Sequence, residues 1–78
     1  MTVAAYILVR VEPGMDQEIL EKMRKTSKVV EAVATYGNYD LLVKVNVDSL
    51  SDLDNFIFEN LRKIPNVKRT ATIIARGY

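Results

Sequence analysis

The chain opens on Val3 to Val11, a stretch rich in β-branched and aromatic residues that stops at Glu12-Pro13-Gly14, where proline and glycine interrupt a strand. The period then changes: Met15, Ile19, Leu20 and Met23 recur at helical spacing, with Asp16 and Glu18 early and Lys22, Arg24 and Lys25 late, so that the charges oppose the helix dipole at both ends. Lys28 to Tyr36 returns to β-type composition. Only Gly37 and Asn38, residues that accept positive φ, separate it from Tyr39 to Asp48, which predicts a hairpin with a two-residue loop. In the second strand of that hairpin Tyr39, Leu41, Val43, Val45 and Val47 share one face and Asp40, Leu42, Lys44, Asn46 and Asp48 the other. The first of these faces reads as core.

A second helix follows, capped by Asp48 or Ser49, supported by Asp52 and Asp54, and ended by Pro65. Leu50, Leu53, Ile57, Leu61 and Ile64 form its apolar stripe, while Phe56 and Phe58 sit about 100° to either side of it. This leaves a tuck against loops, or an interface or pocket role, for either ring. Val67 to Arg76 reads as the last strand, with Val67, Ala71, Ile73 and Ala75 on one face and Thr70, Thr72 and Ile74 on the other. The order β-α-β, β-α-β with right-handed crossovers predicts an α+β, ferredoxin-like βαββαβ plait: a four-stranded antiparallel sheet, strands one and three central, both helices on one face. Charges on the edge strands, Lys28, Glu31, Lys68, Arg69 and Arg76, discourage uncontrolled edge pairing.

The face left open by the helices is expected to carry Ala4, Tyr6, Leu8, Arg10, Leu42, Lys44, Asn46, Thr70, Thr72 and Ile74. Half of these are apolar. A two-fold, sheet-to-sheet homodimer centred on Tyr6, Leu8, Leu42 and Ile74 is the simplest way to cover such a surface; the alternative is a wet sheet bearing scattered apolar residues.

Composition narrows the function. At 78 residues the chain makes one domain, 1–78, and so short a chain leaves much of its surface unburied when it folds alone. A hydrophobic fraction of 49% with 27% charged residues is that of a folding chain. No cysteine and no histidine are present, which excludes disulfides, thiolate zinc sites and imidazole chemistry, and leaves no cofactor implied. Eleven basic against ten acidic residues give a net charge of +1, unlike a dedicated nucleic-acid binder. The longest apolar run, Val3 to Val9, is too short to span a bilayer, and no leader pattern precedes it. A cytoplasmic location, with neither direct nucleic-acid nor membrane partners, is expected.

The run Tyr36-Gly37-Asn38-Tyr39-Asp40-Leu41-Leu42-Val43-Lys44-Val45, the helix end Leu61-Arg62-Lys63-Ile64-Pro65-Asn66-Val67, the segment Arg69-Thr70-Ala71-Thr72-Ile73 and the strand exit Val11-Glu12-Pro13-Gly14 resemble, in this order, the effector domain of the Lrp/AsnC transcription regulators. That unit is known as the RAM domain, for regulation of amino acid metabolism. The family's full-length regulators join a helix-turn-helix domain to it. The resemblance here implies a stand-alone form without a DNA-binding domain, affecting transcription through co-assembly with full-length relatives. It further implies dimers that pair through their sheets, assembly into larger rings such as octamers, and a free amino acid bound between neighbouring dimers. By position it assigns Gly37, Asn38, Tyr39 and Asp40 to the binding loop and Thr70 and Thr72 to a threonine pair on the last strand, with Phe56 and Asn60 facing the ligand side chain.

The chemistry suits these assignments. A glycine turn exposes backbone N–H groups to a carboxylate, Asp40 can accept from an ammonium, and two threonines two apart on a strand point the same way. Plain turn stabilisation by Asp40 and plain β propensity of the threonines are the competing explanations. Because neither Phe56 nor Asn60 is charged, an apolar or small polar amino acid is expected rather than lysine or arginine. An enzyme would have to work with Tyr6, Arg10, Lys44 and Asp40 alone, and is disfavoured. An RNA-binding plait would need aromatics together on the central strands, whereas Tyr6 and Tyr39 fall on opposite faces. An oligomerising protein that binds partners but no ligand stays open.

Overall fold

The computed structural model describes residues 2–76. Strand β1 spans Val3–Val11, helix α1 Asp16–Arg24, β2 Val29–Ala34 and β3 Leu41–Val47; helix α2, Leu50–Asn55, runs on as a π-helical segment, Phe56–Leu61, and β4 is Val67–Ile74. The sheet order is β2-β3-β1-β4 with every pairing antiparallel. The ferredoxin-like plait is therefore present, with strands one and three central.

Alternation along the two central strands builds the core. Ala5, Ile7, Val9 and Val11 of β1 and Leu41, Val43, Val45 and Val47 of β3 are all buried, as the period of two requires for the side of a sheet that packs. From above, α1 contributes Ile19, Leu20 and Met23, and the second helical stretch contributes Leu53, Phe56, Ile57 and Leu61. Helix α1 has no side-chain cap, so its nine residues depend on that packing. Helix α2 is capped: the Ser49 hydroxyl accepts from the Asp52 N–H at 3.1 Å.

The two phenylalanines part along the π-helical segment. The Arg62 N–H donates to the Ile57 carbonyl at 2.8 Å, five residues back. Phe56 and Ile57 follow Leu53 at three and four residues, so both lie on its buried face with Leu61. Phe58 turns outward, half exposed, with the Arg62 guanidinium 5.1 Å from its ring centre. Leu50, expected in the stripe, is exposed instead.

Two further expectations require correction. The hairpin between β2 and β3 does not close on Gly37-Asn38. The last register pair is Ala34 with Leu41, so residues 35–40 form a six-residue loop in which only Gly37 has positive φ, at 105°. Asp40 is held to β1 at the mouth of this loop, its N–H donated to the Val9 carbonyl and its carboxylate accepting the Val11 N–H, both at 2.8 Å. The second correction concerns β4. Val67 pairs with Val11 but Arg69 pairs with Arg10, so Lys68 is an extra residue, a β-bulge. A one-residue insertion exchanges the two faces of everything beyond it. Thr70, Thr72 and Ile74 consequently stand opposite Val9, Ile7 and Ala5, on the helix side, whereas Arg69, Ala71 and Ile73 stand opposite Arg10, Leu8 and Tyr6, on the open side. Ile73, not Ile74, joins Tyr6, Leu8 and Leu42 on the open face. The helices lie mainly over β2 and β3, which leaves Thr72 and Ile74 exposed on the side they were not expected to occupy.

Ile7 lies wholly buried at the middle of the central strand. Replacing it with alanine is expected to cost about 2–5 kcal/mol, read as a lower urea midpoint with an unchanged slope; a loss below that range would mean the core closes over the gap.

Candidate functional site

The 35–40 loop is set by the way β1 leaves the sheet. β3 begins at Leu41, which faces Val9, so the Val11 N–H on the same edge of β1 has no β3 carbonyl to meet. The Asp40 side chain supplies the acceptor: its Oδ2 takes the Val11 N–H at 2.8 Å. Asp40 thus continues the ladder first with its own backbone and then with its carboxylate. On the β2 side the loop is closed by the Thr35 N–H to the Asp40 carbonyl and the Thr35 hydroxyl to the Tyr39 carbonyl, both 2.9 Å. From the open face, Arg10 Nη1 donates to the Asn38 carbonyl at 2.7 Å. The loop is anchored at three points, with the tip at Tyr36 and Gly37 exposed.

Beside it lies a shallow cavity of about 250 Å³ lined by Arg10, Asn38, Tyr39 and Arg69. Arg69 also lines a neighbouring cavity of about 290 Å³ with Arg62, Val67, Lys68 and Thr70. Lys68 is tied to Glu12 at 2.9 Å, and Asn66, in the left-handed region at φ 76°, directs its carbonyl to the Glu12 N–H at 2.9 Å. The exits of β1 and the entries of β3 and β4 are in this way locked to one another.

The structure brings together part of the expected set. Asn38 and Tyr39 share one cavity, and Thr70 lines the next, joined to it through Arg69. Gly37 stands at the exposed tip, and Thr72 lies on the same face as Thr70 but lines neither cavity. Asp40 performs a structural task, but as the acceptor for a distant strand, Val11 of β1, not for nearby turn backbone. Phe56 is 1% exposed, inside the core, and is not available on this surface. Asn60 lines a different cleft, with Lys22, Met23, Thr26, Glu59, Lys63, Ile64 and Pro65. Two residues not expected in the site enter it, Arg69, legible as an edge-strand charge, and Arg62, legible as part of a helix end; the bulge that aims Arg69 leaves no signature in composition. Among the described residues no group of acidic, histidine or cysteine side chains is placed to hold a metal ion, and no helix is long and apolar enough to cross a membrane.

The model of the Lrp/AsnC ligand binding domain matches residues 4–76. The chain belongs to the Lrp/AsnC family. Among curated relatives, the HTH-type transcriptional regulator FL11 of Pyrococcus horikoshii is 36% identical over 90% of this chain and 46% of its own length. The chain spans about half the length of the curated relatives it matches, which are named HTH-type transcriptional regulators. Among solved structures, FFRP-DM1 is 46% identical with a TM-score of 0.91, the match covering 94% of this chain and 97% of that one. The hypothetical protein PHS023 from Pyrococcus horikoshii is likewise 46% identical, with a TM-score of 0.89, over 94% and 88% of the two chains. The Lrp/AsnC ligand-binding domain here is thus similar over nearly its whole length to solved chains of its own size.

Asp40→Ala removes a charged, partly buried acceptor from the Val11 N–H and is expected to destabilise the domain by about 1–3 kcal/mol. Asp40→Asn keeps an acceptor and should lose clearly less. Amide exchange at Val11 separates the roles: no faster exchange in the alanine variant would show that Asp40 is not the acceptor that holds this end of β1.

Proposed function

We propose that this domain senses a free amino acid at the 35–40 loop and assembles through its open sheet face, acting on transcription as a regulatory partner rather than as an enzyme. The observation that carries the reading is the loop itself. It is anchored by Thr35, Asp40 and Arg10, its turn residues Asn38 and Tyr39 line a cavity, and the sequence resemblance assigns this segment to the binding loop. A preformed loop of this kind presents backbone groups to a small zwitterion without a large ordering cost. Thr70 offers a hydroxyl one cavity away. No carboxylate lines either cavity, so a cationic side chain would have no partner there, and apolar or small polar amino acids are the expected effectors.

Assembly is supported by the open face. Leu8 stands opposite Leu42, and Tyr6 is flanked by Lys44, whose ammonium lies 5.6 Å from the ring centre, and by Ile73, 57% exposed. With Ile73 in place of Ile74 the apolar centre is continuous across β3, β1 and β4. A second copy covering it would form a homodimer; larger rings, octamers included, and co-assembly with full-length Lrp/AsnC regulators in the cytoplasm extend the same reading.

Thermal unfolding measured against each of the twenty amino acids should show one or a few that raise the midpoint, by the amount that binding to the native state requires. Stabilisation by none of them would leave a partner-only assembly protein as the better account. Light scattering should give a dimer or larger species that Leu8→Glu reduces towards the monomer; a strictly monomeric parent protein would defeat the assembly part.

A further inference from the structure

Arg10 and Arg69 are direct cross-strand partners in the β1–β4 ladder and share the open face. Two like charges in that relation repel each other, and an arginine cannot relieve the repulsion by losing its proton. Other cations nearby are matched: Lys68 pairs with Glu12 at 2.9 Å, and Arg62 lies over the Phe58 ring. Arg10 makes one hydrogen bond, to the uncharged Asn38 carbonyl. Among the described residues neither Arg10 nor Arg69 has an ion-pair partner. Both are exposed, and both line the cavity of about 250 Å³ with Asn38 and Tyr39.

We propose that Arg10 and Arg69 form a clamp for the carboxylate of a small ligand at the side of the 35–40 loop. The guanidinium fork matches a carboxylate in bidentate geometry, and a carboxylate between the two would turn the cross-strand repulsion into two attractions. The Arg10–Asn38 bond holds one arm at the loop before the ligand arrives, while Arg69, exposed on the edge strand, supplies the other arm. As far as the ligand is the amino-acid effector, this rests on the reading given above, with the clamp taking the α-carboxylate and leaving the rest of the ligand beside Asn38 and Tyr39. The bulge at Lys68 is a condition of the clamp, because without it Arg69 would point to the other side of the sheet.

The side-chain Nε–Hε resonances of the intact protein test this directly. Acetate, L-leucine and L-leucinamide are each titrated at constant ionic strength against chloride, in the parent protein, in Arg69→Gln and in Lys63→Gln. Saturable shifts of the Arg10 and Arg69 resonances with acetate and L-leucine but not with L-leucinamide are expected, with affinity weakened about tenfold or more in Arg69→Gln, as for the loss of a charged hydrogen bond, and unchanged in Lys63→Gln. Tighter binding of L-leucine than of acetate identifies the source as an amino acid, and equal binding identifies a general small carboxylate; both support the clamp. Non-saturating shifts, or equal affinity in the parent and Arg69→Gln, overturn it. If acetate saturates the two arginines while no amino acid raises the unfolding midpoint, the clamp stands and effector sensing fails. If an amino acid stabilises the parent protein and Arg69→Gln alike, sensing stands and the clamp fails.

Discussion

The central strand β1 is paired on both edges, and each of its polar groups must find a partner inside the sheet or at its rim. At its far end β3 runs out two residues before it does, while β4 reaches Val11 only across the bulge at Lys68. The Val11 N–H then falls to the Asp40 carboxylate, the Val9 carbonyl to the Asp40 N–H, and the Glu12 N–H to the Asn66 carbonyl. Three segments distant in sequence are drawn to one point by this requirement. Loop 35–40, the turn into β4 and the bulge at Lys68 all follow from how β1 is satisfied there, and the candidate site is the surface they share.

The rest of the molecule is organised by burial. Eight residues of alternating strand sequence, from Ala5 to Val11 and from Leu41 to Val47, form a floor, and the helices lay Ile19, Met23, Phe56 and Leu61 onto it. Among the described residues no polar or charged residue is buried, so the core is purely apolar and its cohesion scales with the area removed from water. Polar work is confined to the rim. This division lets the loop end vary in charge and shape without disturbing the packed interior.

The strands, helices and sheet order were legible because strand alternation and helical spacing are strong signals where one face is buried. β1 and β3 show this most clearly, since Ile7 and Val43 sit on the inner face and Leu8 and Leu42 on the outer. β4 was not legible in the same way. Thr70, Thr72 and Ile74 alternate with Ala71 and Ile73, so both faces carry comparable apolar content, and the face had to be chosen by counting from Val67; a single extra residue at Lys68 defeats that count. Gly37 and Asn38 suggested a tight turn from local preference, whereas the mouth of the loop is held by a long-range bond between Asp40 and Val11. Phe56 is taken by tertiary packing, sharing the buried face of Leu53 and Ile57 instead of a ligand surface. In each case the deciding interaction lies outside the local window.

The bulge at Lys68 makes β4 a reversible plank. Gaining or losing one residue in the short turn before it would exchange an arginine, alanine and isoleucine face for a threonine and isoleucine face, while every residue of the core stays where it is. A domain built in this way can change what it shows to a ligand or to a second copy by altering length at one surface position, and related chains can differ in what they recognise with the same sheet and helices beneath.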